Sequence, residues 1–438
     1  MPKNTRREFL KATTATGIGF WVAGGLRAQE SKSPNEKIAM ASVGVGGKGS
    51  SDSADASKHG EMVAICDVDV ARLDGAGNKW PGAKKYTDFR KMLEELGDKI
   101  DAVTVSTPDH THAPAALMAM RMGKHCFCQK PMTHSIYEAR LMGKVARELK
   151  LATQMGNQGT AKDDLRKAAG MIRAGRLGKV TEVHVWTNRP IWPQGGERAE
   201  PQDPPDTLEW DLFLGPAPVR PYALGYHPFA WRGWWDFGTG ALGDMACHTM
   251  NMPFMGLDLR DPLSVQAETS GHNGDSYPKW SVIEYQFAAN DFRPAVKLFW
   301  YDGGKLPDPA ILDGDAPKKS GCIVIGEKGK LYSGNDYGGI DKLYGDVDDS
   351  EVEFEKSPGH FEEWVNAIRG GPPARSNFPD YASALTETVL LGNLAVWAAK
   401  GGQGPKVEWD AKNLKAKNVA GLEEIIKPVY REGYVLDV

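Results

Sequence analysis

Cysteine is scarce: five in 438 residues. That odd, small number excludes a disulfide-stapled framework. Cys126 and Cys128 stand two apart on an expected strand and share a face, where both read as small buried hydrophobes. Neither sign of charge dominates, since the formal net charge is −4, and this excludes a basic surface for nucleic acid. Internal repeats are absent. Beyond the N-terminus, no apolar run reads as a membrane-spanning helix. The acid-rich Gly345 to Glu355 has no calcium-loop spacing and reads as a solvated hairpin. What is left is ordinary globular composition, 41% hydrophobic and 25% charged, with length for two or three domains.

Glycine, by contrast, is placed with purpose. Ile38-Ala39-Met40-Ala41-Ser42-Val43 is a short apolar strand, and Gly44-Val45-Gly46-Gly47-Lys48-Gly49 follows at once as G-x-G-x-x-G. A polar, Ala-rich stretch of helix length comes next. Met62 to Cys66 then forms a second strand ending on Asp67. Gly44 permits the tight turn, Gly46 lets backbone approach a pyrophosphate, and Gly49 lets helix and strand pack closely. Asp67 follows Gly49 by 18 residues, near the spacing at which a carboxylate bonds the ribose hydroxyls of NAD. NAD is preferred over NADP because Asp67 repels a 2′-phosphate, although Lys48 is a cation nearby.

The N-terminus reads as an address. Thr5-Arg6-Arg7-Glu8-Phe9-Leu10-Lys11 resembles a twin-arginine signal. A moderately apolar run to Gly25 and a cleavable Leu26-Arg27-Ala28 follow. Export of the folded protein by the twin-arginine machinery to the periplasm or another extracytoplasmic space is the expectation.

Three segments follow. Residues 1–35 are leader and linker. Residues 36–157 alternate strand and helix, which predicts a parallel Rossmann sheet with ligands beyond the C-terminal strand ends. Within them Thr87 is placed to cap a helix, and strands are expected at 101–106, 125–128 and 151–156. From 158 to 438 the pattern turns α+β. A helix at 162–174 leads into an alternating, antiparallel-type strand at 178–186. Loops rich in Pro, Gly and Trp fill 188–235. Strands are expected at 263–268, 281–287, 295–300, 321–325 and 330–332, with helices at 360–369 and 381–400. The fold class is therefore α/β: a Rossmann domain plus a domain with a large, mostly antiparallel open sheet.

Polar residues crowd the expected strand ends: Thr107-Pro108-Asp109-His110-Thr111-His112, Gln129-Lys130-Pro131 and Gly156-Asn157-Gln158. No further ligand set accompanies the histidines, so positioning or capping is favoured over a metal. Lys130 is expected beside nicotinamide with a lowered pKa, ready to share a proton with a substrate hydroxyl. In Gly238 to Asn251, a helix from about Leu242 sets Asp244 and His248 four apart on one face, with Asn251 beside them. A carboxylate one turn away can orient and tune an imidazole. The glycines there suggest that backbone must approach something. Six of the thirteen tryptophans, Trp186, Trp192, Trp210, Trp231, Trp234 and Trp235, fall within fifty residues. Together with Tyr222, Tyr226, His227, Arg232 and Asp236 they read as a carbohydrate cleft, since aromatic faces stack on sugar C–H faces.

These residues together resemble the glucose–fructose oxidoreductase and inositol dehydrogenase family (Gfo/Idh/MocA) over about residues 37–430. The shared features are the glycine fingerprint, a lysine motif E-K-P after the fourth strand, and D-x-x-x-H on a helix. The resemblance makes Lys130, Asp244 and His248 the catalytic set, with His248 accepting the proton. It makes Gly44, Gly46, Gly49, Asp67, Thr107, His112 and Asn157 cofactor contacts; Gly47, Pro108, His110, Gln129 and Lys130 join them by position. Trp231, Arg232, Trp234, Trp235 and Asn251 are the candidate substrate contacts. Gln129 stands where the family has glutamate, so a carboxylate-assisted role beside Lys130 is in question. The resemblance implies a tightly held NAD(H), a homo-dimer or homo-tetramer through the open sheet, and hydride transfer from a sugar, cyclitol or glycoside carbinol. Two alternatives stand beside it: a redox-neutral glycosidase, lyase or epimerase using transient oxidation, and a non-catalytic sugar-binding protein.

Overall fold

A computed structural model describes residues 37–436, and the twin-arginine leader of 1–35 lies outside the described residues. The first sheet contains β1 (Ile38–Val43), β2 (Gly60–Cys66), β3 (Lys84–Tyr86), β4 (Ala102–Val105), β5 (His125–Cys128) and β6 (Thr153–Met155). All pair in parallel, in the order β3-β2-β1-β4-β5-β6. The strand order reverses about β1 and β4, so their C-terminal ends open a crevice for a ligand. The apolar runs at 38–43 and 102–105 suit strands buried on both faces. β3 is the edge strand that hydropathy does not mark, because Lys84 and Lys85 are exposed. Thr87 is not the cap of the next helix, Phe89–Leu96; the Asp88 side chain accepts from Arg90 N there.

The second sheet is built from β7 (Val180–Trp186), β8 (Ser264–Thr269), β9 (Ser281–Phe287), β10 (Val296–Tyr301), β11 (Gly321–Gly326), β12 (Gly329–Ser333), β13 (Lys342–Gly345), β14 (Gly402–Gln403), β15 (Val407–Asp410) and β16 (Lys415–Ala416). It runs β13-β12-β11-β7-β10-β9-β8-β15-β16, with β14 beside β8. The sheet is mixed rather than purely antiparallel: β7 pairs antiparallel with β11 but parallel with β10. Residues 345–355 carry no further strand, so the acid-rich stretch is loop rather than hairpin.

One face of this sheet, with Val183, Val185, Ile283, Leu298 and Trp300, packs against the helices in a core continuous with the first domain's. The long helix Ser383–Ala399 lies in that core. The stretch Phe378–Ala399 is long and apolar enough to cross a membrane, contrary to the expectation of no such run, and 83% of the qualifying 18-residue window within it is buried inside the protein. All five cysteines are buried free thiols. Burial pushes Cys247 and Cys322 up to about 12, so they stay protonated and inert.

Candidate active site

The glycine turn has the geometry its spacing requires. Gly44 takes φ +80° and Gly47 φ +50°, conformations open to glycine. A Cβ on Gly49 would collide with the Gly44 carbonyl oxygen, so this glycine lets the helix Lys48–Ala56 sit on the turn. Asp67 continues β2 and closes the turn from below. Its Oδ2 accepts from Val45 N at 2.9 Å and Gly46 N at 3.2 Å, and its Oδ1 from Asp69 N at 3.0 Å. Burial raises its pKa, and those three amides oppose the rise. Lys48 turns away from Asp67 and contacts Asp52 instead. The cation next to the turn is Arg72, whose side chain fills the space a Gly46 Cβ would need.

A cavity of 470 Å³ runs from this turn to the second domain. Gly46, Gly47, Asp67 and Arg72 line one end; Lys130, Asp244 and His248 line the other, with Thr107, Pro108 and Gln129 between. At the far end Lys130 Nζ donates to Asp244 Oδ1 at 2.8 Å and to the Asp244 carbonyl at 2.7 Å. Two guanidiniums approach the same carboxylate, Arg232 at 3.4 Å and Arg189 at 3.5 Å. Burial disfavours ionisation of Asp244, yet Lys130 and then Arg232 outweigh it and hold the carboxyl below the usual range. His248 lies one turn further along the helix Gly240–Thr249. Burial above all, then the Lys130 ammonium, pushes its imidazole well below the ordinary histidine value, against the pull of Asp244. Its Nδ1 is buried without a partner. The Tyr337 ring, from the loop after β12, stands edge-on to it at 5.1 Å. A neutral imidazole beside a clamped ammonium can accept a proton while the ammonium donates to the same substrate oxygen.

Several candidates lie elsewhere. His110 is pinned between the Phe213 and Phe237 carbonyls at 2.8 and 3.2 Å, and burial lowers it to about 3. His112 bridges the Pro131 and Thr107 carbonyls, each at 2.8 Å. Both histidines tie loops together instead of facing the cavity. Among the described residues no three His, Cys, Asp or Glu side chains group as a metal site would need. Asn157 is fully buried and accepts from Ser376 Oγ at 2.5 Å. Asn251 does not share the Asp244 face, because the helix ends at Thr249 and a new one starts at Asn251. Its amide donates to Thr160 at 2.8 Å and accepts from Tyr381 at 2.5 Å. Gly240 and Gly243 leave room for Tyr277 and Thr239, both protein neighbours, so they mark packing and no ligand.

The tryptophans divide. Trp231 and Trp192 line the cavity, and the Arg232 guanidinium lies 4.4 Å over the Trp231 ring. Trp234 is buried against Tyr226 and donates to Gly225 O. Trp235 stacks on Tyr277 at 3.7 Å. Trp210 packs among Phe213 and Tyr226, and Trp186 stacks on Tyr332. Residues not singled out above complete the site. Asp109, fully buried, holds Arg232 through both oxygens at 3.0 Å. Arg189, Ile191, Phe229 and Asp336 join the lining. Asp109 sits inside the polar Thr107–His112 run, a signal that was available; Arg189 and Asp336 belong to loops with no motif.

The glycine turn, the acid at the end of β2 and the crevice at the reversal of strand order define a dinucleotide-binding α/β protein. The turn leaves open space at Gly47, the carboxylate of Asp67 lies at one end of the cavity and an orphaned imidazole nitrogen at the other, so these residues fit a dinucleotide along its length. Residues 38–157 match the family model described as oxidoreductase family, NAD-binding Rossmann fold, and residues 163–436 its C-terminal alpha/beta domain. The chain belongs to the Gfo/Idh/MocA oxidoreductase family, and its N-terminal domain is an NAD-binding Rossmann fold. It is 28% identical over 200 residues to a glycosyl hydrolase family 109 protein of Solibacter usitatus, covering 41% of this chain and 45% of that one. It is 30% identical over 118 residues to an inositol 2-dehydrogenase of Rubrobacter xylanophilus, covering 26% and 33%. The chain thus spans less than half the length of the curated relatives it matches. The fold resembles the WlbA dehydrogenase of Bordetella pertussis, solved with NADH and UDP-GlcNAcA: TM-score 0.59, 19% identity, 86% of this chain and 100% of that one.

Proposed function

We propose that the chain is an NAD-dependent oxidoreductase acting on a carbinol of a sugar, cyclitol or glycoside. The observation that carries this is the meeting of the clamped Lys130–Asp244 pair and the orphaned His248 imidazole at the end of the cavity that begins at the glycine turn. NAD, when bound, supplies the hydride acceptor. The chain's own groups do the rest. His248, kept neutral, takes the hydroxyl proton. Lys130 donates a hydrogen bond to the carbinol oxygen, and Asp244 fixes the ammonium for that task. Arg232 is braced by Asp109, and Trp231 and Trp192 offer aromatic faces to the ring. The Thr5–Lys11 motif supports folded export to the periplasm or another extracytoplasmic space by the twin-arginine machinery, and the large second sheet supports a homo-dimer or homo-tetramer.

A second reading keeps the cofactor but returns the hydride after elimination, giving a glycosidase, lyase or epimerase. The similarity to a glycosyl hydrolase family 109 protein favours it, as does the difficulty of reoxidising NADH outside the cytoplasm. Mass spectrometry of protein purified without added cofactor, then absorbance at 340 nm across a sugar panel, separates the readings. Co-purified NAD(H) and a stoichiometric rise support the dehydrogenase; product without a rise supports the cycle. No retained or titratable NAD(H) overturns both.

A further inference from the structure

Asp52 lies in the first turns of the helix Lys48–Ala56, behind the glycine turn, and is fully buried. A carboxylate in such a place is costly unless its lone pairs are used. Gln158, just past β6, contacts this carboxylate, and three further side chains supply donors. Lys48, the first residue of the same helix where it leaves the glycine turn, contacts Oδ1. Ser106 Oγ, just past β4, donates to Oδ2 at 2.9 Å, and Gln129 Nε2, just past β5, donates to the same oxygen at 2.8 Å. The Gln129 amide is oriented by this contact, because its other end, Oε1, accepts the backbone N–H of Lys130 at 3.1 Å. It is also confined: a Cβ on Gly156 would meet the amide at 2.5 Å, so that glycine keeps the space Gln129 fills. Hydrogen bonds therefore run without a break from the glycine turn, through Asp52 and Gln129, to the residue whose ammonium clamps Asp244.

We propose that Asp52 is the positioning residue that holds the cofactor-facing turn and the Lys130 strand end in one binding geometry, and that the carboxylate and amide of the Asp52–Gln129 pair are exchangeable between the two positions. This rests on the reading of the cavity as an NAD(H) site. The Gln129 amide alone cannot neutralise Lys48, so the negative charge that faces it is carried on the helix instead of just past β5.

Calorimetric titration of NAD+ into four proteins tests it, with thermal unfolding recorded for each: wild type, Asp52→Asn, Gln129→Glu, and the double variant. Asp52→Asn should weaken NAD+ by about tenfold or more, the scale of one charge-assisted hydrogen bond. Gln129→Glu should weaken it as well, since two buried carboxylates then meet. The double variant should return to within about threefold of wild type, well inside one tenfold step of affinity. The inference is overturned if Asp52→Asn binds as tightly as wild type, if the double variant binds no better than Asp52→Asn, or if affinity only follows the melting temperature across the set. Should Asp52→Asn fail to fold, the double variant decides: wild-type-like affinity supports exchange, and weak binding overturns it. A wild type that takes up no NAD+ overturns the functional reading itself, which distinguishes the two failures.

Discussion

Removing the two members of the Lys130–Asp244 pair should have unequal costs. Both side chains are 14% exposed, so solvent screens them little. In Lys130→Met, Asp244 loses a bond of 2.8 Å but keeps Arg232 at 3.4 Å and Arg189 at 3.5 Å, so its charge stays compensated. The loss should be that of one charge-assisted hydrogen bond, about 1.5–3 kcal/mol. In Asp244→Asn, Arg232 keeps Asp109, but Arg189 and Lys130 face a neutral amide, and Lys130 keeps only the backbone carbonyl at 2.7 Å. Uncompensated buried charge raises that cost to about 3–5 kcal/mol. The double variant should cost less than the sum, by about 1 kcal/mol or more, because the partners touch. Denaturant unfolding of cofactor-free protein measures all three without a contribution from binding. If Lys130→Met costs as much as Asp244→Asn, or if the two costs simply add, Asp244 is not the centre of the network. Turnover should fall in both single variants by about a hundredfold or more, the scale of a lost proton-transfer partner.

Further outcomes follow from other parts of the site. Because burial keeps His248 below the ordinary histidine pKa, the imidazole stays neutral and able to accept a proton as pH falls through 6.5. The acid limb of kcat/KM should therefore lie below pH 6.5, and a limb at or above it contradicts the assignment. Gly46→Ala presses on the flexible end of Arg72, whereas Gly49→Ala presses on the Gly44 backbone. The first should fold with near-native melting and lose NAD+ affinity, and the second should lose thermal stability as well. Asn251→Ala breaks buried bonds to Thr160 and Tyr381. It should lower stability by about 1–3 kcal/mol, the cost of stranding buried partners, and leave substrate KM unchanged, which a sugar titration checks.

The parts of the fold legible in the chain are those with local physical signatures. Period-two and all-apolar runs gave away β1, β4, β9 and β10, and the glycine spacing marked the turn. β3 escaped because an edge strand of Lys-Lys-Tyr buries little. The parallel pairing of β7 with β10 escaped because alternation reports a half-buried strand and says nothing of its neighbour's direction. In the site, Lys130, Asp244 and His248 could be picked from motif and spacing. Asn251 groups with them by spacing alone, although Pro253, which cannot bond the Thr249 carbonyl four residues back, marks the break between the two helices. Asp52 stayed hidden because its strand-end partners Ser106 and Gln129 are distant in the chain, and Asp109, visible in the polar Thr107–His112 run, had no legible role because Arg232 and Thr239 come from the second domain. Trp231, Trp234 and Trp235 show the same limit. They sit side by side in sequence, yet the short turn at Ala230–Gly233 sends Trp231 to the cavity, Trp234 to Tyr226 and Trp235 to Tyr277.

The most direct measurement is an experimental structure of the protein with NAD+ bound. The nicotinamide ring should lie between Lys130 and His248, with the adenosine ribose at Asp67. A ring placed outside that gap, or a dinucleotide that leaves Asp67 and the glycine turn untouched, would contradict the account.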